Sequence, residues 1–220
     1  YSTGTIQNVG LVGGSITGKD GVGGVVGWNS SGTITNAYNT GAVSGNEYVG
    51  GVAGQNYTDY GTITNVYNTG AVSGNESVGG VVGLDDSSSP ITNALWAKDL
   101  EYTPTKGVKP TQALGNLADT DTVKGETVAN MKKAATYSNW TGTNAVSSIG
   151  GAGTAWRIYE GNTTPLLTSF FKGVVTVTGL DNQTVTYNGT IQKADLSGAT
   201  YSSSNIDASH ILAGGDRNVG

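Results

Sequence analysis

The chain has 220 residues, with 36 glycines, no cysteine, one histidine and a formal net charge of −5. Its 12% of charged residues is half the usual share of about 25%, and its glycine content is more than twice the usual share of about 7%. These numbers exclude the common cysteine- and histidine-based zinc sites and argue against nucleic acid or an anionic membrane as partner. No apolar run approaches the roughly 20 residues that span a bilayer, so no membrane insertion is expected in this segment.

Taken in chain order, the first strong signal is a repeat, which sets the architecture before any single element does. Gly4 opens GTIQNVGLVGGSITGKDGVGGVVGWN, Gly32 opens GTITNAYNTGAVSGNEYVGGVAGQN, and Gly61 opens GTITNVYNTGAVSGNESVGGVVGLD. A fourth copy starts at Pro90 with PITNAL and then departs. Ile6, Ile34, Ile63 and Ile91 recur at steps of 28, 29 and 28, and Asn8, Asn36, Asn65 and Asn93 keep the same steps. Each full copy holds three short apolar stretches; in the second these are the run around Ile34, Ala42–Ser44 and Val49–Ala53. Asn-Thr-Gly and Gly-Asn-Glu turns divide them. Three strands per step at nearly fixed length predict the coils of a parallel β-helix.

Stacked coils place equivalent residues above one another at roughly 4.8 Å. The expected apolar columns are the four isoleucines, Val22-Val49-Val78 and Val25-Val52-Val81. Asn8, Asn36, Asn65 and Asn93 are expected to form an amide ladder, and Tyr38 to stack on Tyr67. The paired glycines at 23–24, 50–51 and 79–80 suit a sharp bend or a close backbone approach.

The pattern VGGVVG with GTITN-Y-TGAVSG, over residues 4 to about 93, resembles the GLUG motif. That motif recurs in large bacterial surface proteins, among them adhesins of the filamentous-haemagglutinin type exported by two-partner secretion, and some surface proteases. The first copy departs from the pattern at Gly10, which stands where Tyr38 and Tyr67 stand. The resemblance implies secretion and a β-solenoid and supplies no catalytic residue.

Residues 94–172 lose the repeat and read as a terminal coil and cap with insertions, covering the open edge of the stack. GETVANMKKAAT, from Gly125 to Thr136, predicts one short helix with Val128, Met131, Lys132 and Ala135 on one face. Trp96, Trp140 and Trp156 belong to this segment, and a sugar-binding groove lined by them is the alternative to burial. Residues 173–220 read as a small β-rich module, with a strand over Gly173–Thr178 and a hairpin turn at Asn188-Gly189. Tyr187-Asn188-Gly189-Thr190 resembles the Tyr-Asp-Gly signature of small immunoglobulin-like repeats in the same adhesins, with Asn in place of Asp. The expected fold class is therefore all-β: a glycine-rich β-solenoid over residues 1–93 with coils of 28–29 residues, an irregular cap with one helix, and a partial immunoglobulin-like module. The chain reads as a piece of something longer.

Chemistry-bearing residues are sparse. Asp20, Glu47 and Glu76 fall at equivalent repeat positions; stacked carboxylates need solvent or a bridging cation, which makes them candidate Ca²⁺ ligands, with a solvated turn as the plainer reading. Asp85-Asp86 and Asp119-Thr120-Asp121 read as loop acids. His210 has no evident triad partners, and VGGVVG lacks the Gly-Lys-Ser/Thr ending of a phosphate loop. Asn-x-Ser/Thr sequons mark Asn29, Asn56, Asn75, Asn139, Asn162, Asn182 and Asn188 as candidate glycosylation acceptors. No catalytic residue and no cofactor is expected. The expectation is a non-enzymatic structural or adhesive segment at the extracellular surface of a bacterium, acting as a rigid stalk or filament. Its partner would be a host or matrix glycan or protein, or further copies of itself. The alternatives are a spacer of a surface protease and a glycan-active β-helix enzyme.

Overall fold

The computed structural model describes residues 1–57, 61–88, 91–148 and 153–170, with the backbone of two further strands at 175–178 and 200–203. The chain forms two compact units, Tyr1–Ser169 and Phe170–Gly220.

The first unit is a β-solenoid of about four turns. Coil one contains β1 (Thr5–Leu11), β2 (Ser15–Thr17), β3 (Asp20–Gly23) and β4 (Val26–Asn29). Coil two repeats these as β5 (Thr33–Asn39), β6 (Ala42–Ser44), β7 (Glu47–Gly50) and β8 (Ala53–Tyr57). Coil three has β9 (Thr62–Asn68), β10 (Val72–Ser73), β11 (Glu76–Gly79) and β12 (Val82–Asp86), and coil four opens with β13 (Ile91–Ala97). These strands pair in parallel from coil to coil, with Ile6 opposite Ile34, Ile34 opposite Ile63 and Ile63 opposite Ile91. The other strands follow the same register, with Val22, Val49 and Val78 aligned.

Each coil has four strands where the apolar pattern predicts three, because the Val49–Ala53 run is split by its glycine pair. A Cβ on Gly50 would collide with the Ala53 carbonyl, and one on Gly51 with the Gly80 carbonyl and the Asn68 side chain. The chain bends there with backbone packed on backbone, so β7 ends and β8 begins at the corner.

Burial follows the columns. Ile34, Ile63, Val52 and Val81 are fully buried in the interior with Ala37, Val66 and Ala94. Val22, Val43, Val49, Val72 and Val78 form a second, smaller core. Ile34 and Ala37 both face inward although they are three residues apart, which strict alternation along a strand forbids. The cause is Asn36, whose φ is 52°; Asn8, Asn65 and Asn93 share this left-handed conformation at 54°, 53° and 53°. Asparagine tolerates that region better than other side-chain-bearing residues. The bend resets the alternation, so Ala37 points in and Tyr38 points out.

Past β13 the sequence repeat disappears but the coil continues. Residues 98–122 run across the C-terminal edges of coil three, with Val108 bonded to Gly74 in both directions and Val81 N–H donating to the Ala113 carbonyl at 2.8 Å. The chain returns as β14 (Val123–Glu126), which pairs in parallel with β13, Ala94 opposite Val123. A coil thus forms without repeat residues.

The rest of the expected cap does not lie across the end of the stack. It packs on its flank, against the outward face of the long sheet. Tyr38, Tyr67 and Leu95 share a third core there with Met131, Tyr137, Trp140, Trp156, Ile158 and Leu167. Tyr38 and Tyr67 stack at 5.2 Å with ring planes 9° apart. The expected helix is reduced to one turn, α1 (Val128–Met131), capped by the Thr127 side chain. It stops because its C-terminal carbonyls are taken from outside: Thr136 Oγ1 donates to Asn130 O, Tyr137 Oη to Met131 O, and Gly161 N to Lys132 O. A 3₁₀ turn over Ala134–Tyr137 follows. Three two-residue strands, β15 (Val146–Ser147), β16 (Trp156–Arg157) and β17 (Leu166–Leu167), form a small sheet on the flank.

In the second unit β18 (Val175–Thr178) pairs antiparallel with β19 (Thr200–Ser203). The turn at Asn188-Gly189 and most of the 173–220 module lie outside the described residues.

Candidate functional site

Polar side chains of the solenoid are organised by the same stacking that builds its core. Two buried ladders run along it. Asn29 Nδ2 donates to Asn56 Oδ1 at 2.8 Å, and Asn56 Nδ2 to Asp85 Oδ1 at 3.0 Å. Asn39 Nδ2 donates to Asn68 Oδ1 at 2.8 Å, while both residues also bond the backbone of the glycine two positions on. Both ladders end for a chemical reason. Asp85 has no N–H to pass on, and its backbone is clamped by Asn116. Trp96 takes the step after Asn68, and Asn68 turns to the Gly80 carbonyl instead. These ladders carry a sequence signal in their near-repeat spacings, 27 and 29 residues for Asn29-Asn56-Asp85 and 29 for Asn39-Asn68.

The expected ladder through Asn8, Asn36, Asn65 and Asn93 holds its register but not its bonds. Only Asn93 Nδ2 reaches Asn65 Oδ1, at 2.9 Å. Asn36 is diverted to the flank: its Oδ1 accepts from Trp156 Nε1 at 3.0 Å, and its Nδ2 donates to Asn144 Oδ1 at 2.8 Å. Asn93 also donates to the Asn139 carbonyl. Tyr67 Oη adds a 2.6 Å bond to the Pro165 carbonyl. This column fastens the flanking segment to the stack. Burial raises the Tyr67 phenol well above its ordinary range, and does the same to Tyr137.

The tryptophans of the middle segment are buried, Trp96 in the interior and Trp140 and Trp156 under the flank. The groove alternative therefore fails, because no ring presents its face to solvent.

Asp20, Glu47 and Glu76 stand in one register column. Asp20 pairs with Lys19 at 3.3 Å, and among the described residues no three acidic, histidine or cysteine side chains converge to hold a metal ion. Among the sequons, Asn29 and Asn56 are fully buried with their amides in the ladder, so the folded coil presents no amide for modification there. Asn75 bonds Asn46 and Asn162 bonds the Glu160 carbonyl. Asn75, Asn139 and Asn162 are exposed. Asn182, Asn188 and His210 lie outside the described residues.

Two of the expected loop acids do specific work. Asp85 terminates a ladder. Asp119 accepts from Ala113 N at 2.7 Å and Gly125 N at 2.9 Å, tying coil four to β14.

One polar cleft of about 220 Å³ lies between β13, β14 and the 3₁₀ turn. Asn93, Lys124, Glu126, Asn139 and Trp140 line it, with Asp121 and Thr122 just before β14. Lys124 Nζ lies 3.4 Å from Glu126 Oε1, and Glu126 Oε2 accepts from Asn130 at 3.2 Å. Among the described residues no helix is long and apolar enough to cross a membrane.

The fold and its columns define a class, a β-solenoid whose coils repeat one interface and whose flank is pinned by an asparagine strip. Residues 45–73 match the family model described as the GLUG motif, from the end of coil two's β6 to coil three's β10. The chain thus carries a GLUG repeat region. No curated protein and no solved structure matches it.

Proposed function

We propose that this chain is a non-enzymatic structural and adhesive segment of a secreted bacterial cell-surface protein, of the filamentous-haemagglutinin type. Its solenoid is a stiff stalk, and its partner is a host or matrix glycan or protein. Residues 173–220 belong to a Tyr-Asp-Gly-like module. The observation that carries this reading is the GLUG match inside an unbroken parallel register. A stack of equivalent coils resists bending because each interface buries the same columns.

Antibodies against this segment should label intact, unpermeabilised cells of the producing bacterium, and in-frame deletion of coils two and three should reduce attachment to a coated matrix. Antigen confined to the cytosolic fraction would overturn the proposal.

A further inference from the structure

The oxygen of Asn8 marks a hydrogen bond that the asparagine column could make and does not. Asn8 Oδ1 is closed off from solvent and has no partner. Asn8 and Asn36 are neighbours in register, between the pairs Gln7–Thr35 and Val9–Ala37, and both adopt the left-handed bend. Farther along the same column, Asn93 Nδ2 donates back to Asn65 Oδ1 at 2.9 Å. The equivalent donor for Asn8 is Asn36 Nδ2, but that group is drawn to Asn144 Oδ1 at 2.8 Å. Asn36 Oδ1, the equivalent acceptor for Asn65, is held by Trp156 Nε1 at 3.0 Å. An unpaired buried acceptor is destabilising, and a continuous ladder would remove that cost. The column therefore has two hydrogen-bond arrangements. In one, which is observed, Asn36 is tied to the flanking segment. In the other, Asn93, Asn65, Asn36 and Asn8 are bonded in series.

The flanking segment is attached in a way that permits the exchange. Residues 127–169 hold their own small sheet, and among the described residues no backbone-to-backbone hydrogen bond joins them to β1–β13. Their bonds to those strands run through side chains: the two at Asn36, Asn93 to the Asn139 carbonyl, and Tyr67 Oη to Thr164 and Pro165. The coils, by contrast, are joined by backbone ladders. The segment's own elements are one helical turn, 3₁₀ turns and two-residue strands, too short to persist alone in water. Detaching it therefore unfolds it while the coils stay paired.

We infer that the asparagine column is a two-position latch. Docked, Asn36 holds the flanking segment and leaves Asn8 Oδ1 unpaired. Released, Asn36 Nδ2 turns to Asn8 Oδ1 and Asn65 Nδ2 to Asn36 Oδ1, and the stacked Tyr38 and Tyr67 rings are uncovered. The completed ladder offsets part of the cost of release, so the segment opens as a unit while the coils remain closed. The latch is a property of the fold and does not rest on the adhesive reading.

The test is amide hydrogen exchange on the full chain, resolved by mass spectrometry into peptides from residues 128–169 and from coils two and three. The flanking segment should open more often than the coils. Asn8→Gly keeps the left-handed backbone and removes the oxygen. The docked form then loses only an unpaired group, whereas the released form loses a bond, so opening should become about fivefold rarer, the value of one net hydrogen bond. If Asn8 merely supported the docked packing, the same change would make opening more frequent. Asn144→Ala frees Asn36 Nδ2 and should make opening about fivefold more frequent, with the protection of the coils unchanged. Equal opening of segment and coils, a segment that opens as often or more often after Asn8→Gly, or no response to Asn144→Ala would each overturn the inference.

Discussion

Asn56 is the centre of a buried ladder, and its replacement by alanine measures what that ladder contributes. The side chain is fully buried. Its Oδ1 accepts from Asn29, and its Nδ2 donates to Gly61 O at 3.1 Å, Asp85 Oδ1 at 3.0 Å and Ser87 Oγ at 2.9 Å. After Asn56→Ala, Asn29 Nδ2 keeps its bond to Gly32 O, and Asp85 keeps Ser87. The Gly61 carbonyl loses this partner, and the Asp85 carboxylate loses one of its donors. A buried acceptor left unpaired costs about 1–3 kcal/mol, and a bond to a charged group is worth about 1.5–3 kcal/mol. The expected loss is therefore about 3–5 kcal/mol, read as a shift in the urea midpoint at unchanged slope. Asn75→Ala is the control: Asn75 is exposed, its amide bonds Asn46 at the surface, and its loss should stay within about 0.5 kcal/mol. If the two variants unfold together, the ladder is ornamental and the reasoning fails.

Ser77 sits at φ 49°, where coil one has Gly21 at 63°; Ser77→Gly should gain about 1 kcal/mol by relieving the left-handed conformation, while Ser77→Val should lower the thermal midpoint. Gly51→Ala drives a methyl into the Gly80 carbonyl and should cost about 1–3 kcal/mol or more, visible in the same urea titration. Asp119→Ala should lower the urea midpoint more than Asp121→Ala, since only Asp119 bonds backbone N–H groups. Burial raises Tyr67 and Tyr137 in the folded state, so the stability held by their neutral forms is complete below about pH 10, the unfolded phenol value. It is lost as pH rises towards the folded values. Ultraviolet titration should show a fraction of the tyrosines ionising only as the fold melts, and full ionisation before any loss of circular dichroism would contradict this.

What the sequence made legible was whatever the repeat carried. The isoleucine and valine columns, the tyrosine stack and the parallel register follow from spacing alone, because stacking converts a repeat into contacts. The four-strand coil was hidden in Val49–Ala53, where a continuous apolar run conceals a corner that only the Gly50 and Gly51 contacts reveal. The asparagine column was placed correctly but given the wrong bonds. Spacing fixes which residues are adjacent, whereas Trp156 and Asn144, more than a hundred residues from Asn36 in the chain, decide where its amide goes. The strand positions of coil four past Ala94 were not legible, because no repeat residue marks the register in which Val123 meets Ala94.

The identity of successive interfaces makes the length of this stack a heritable quantity. Coil two meets coil one through the columns by which it meets coil three. An in-frame duplication of one coil therefore adds a layer whose neighbours are already complementary on both sides. A duplication shifted by one residue would turn isoleucine out and threonine in along the whole layer. Tandem recombination can lengthen or shorten such a support in whole steps, while Asp85, Trp96 and Asp119 mark the one boundary that cannot be copied without ending the series.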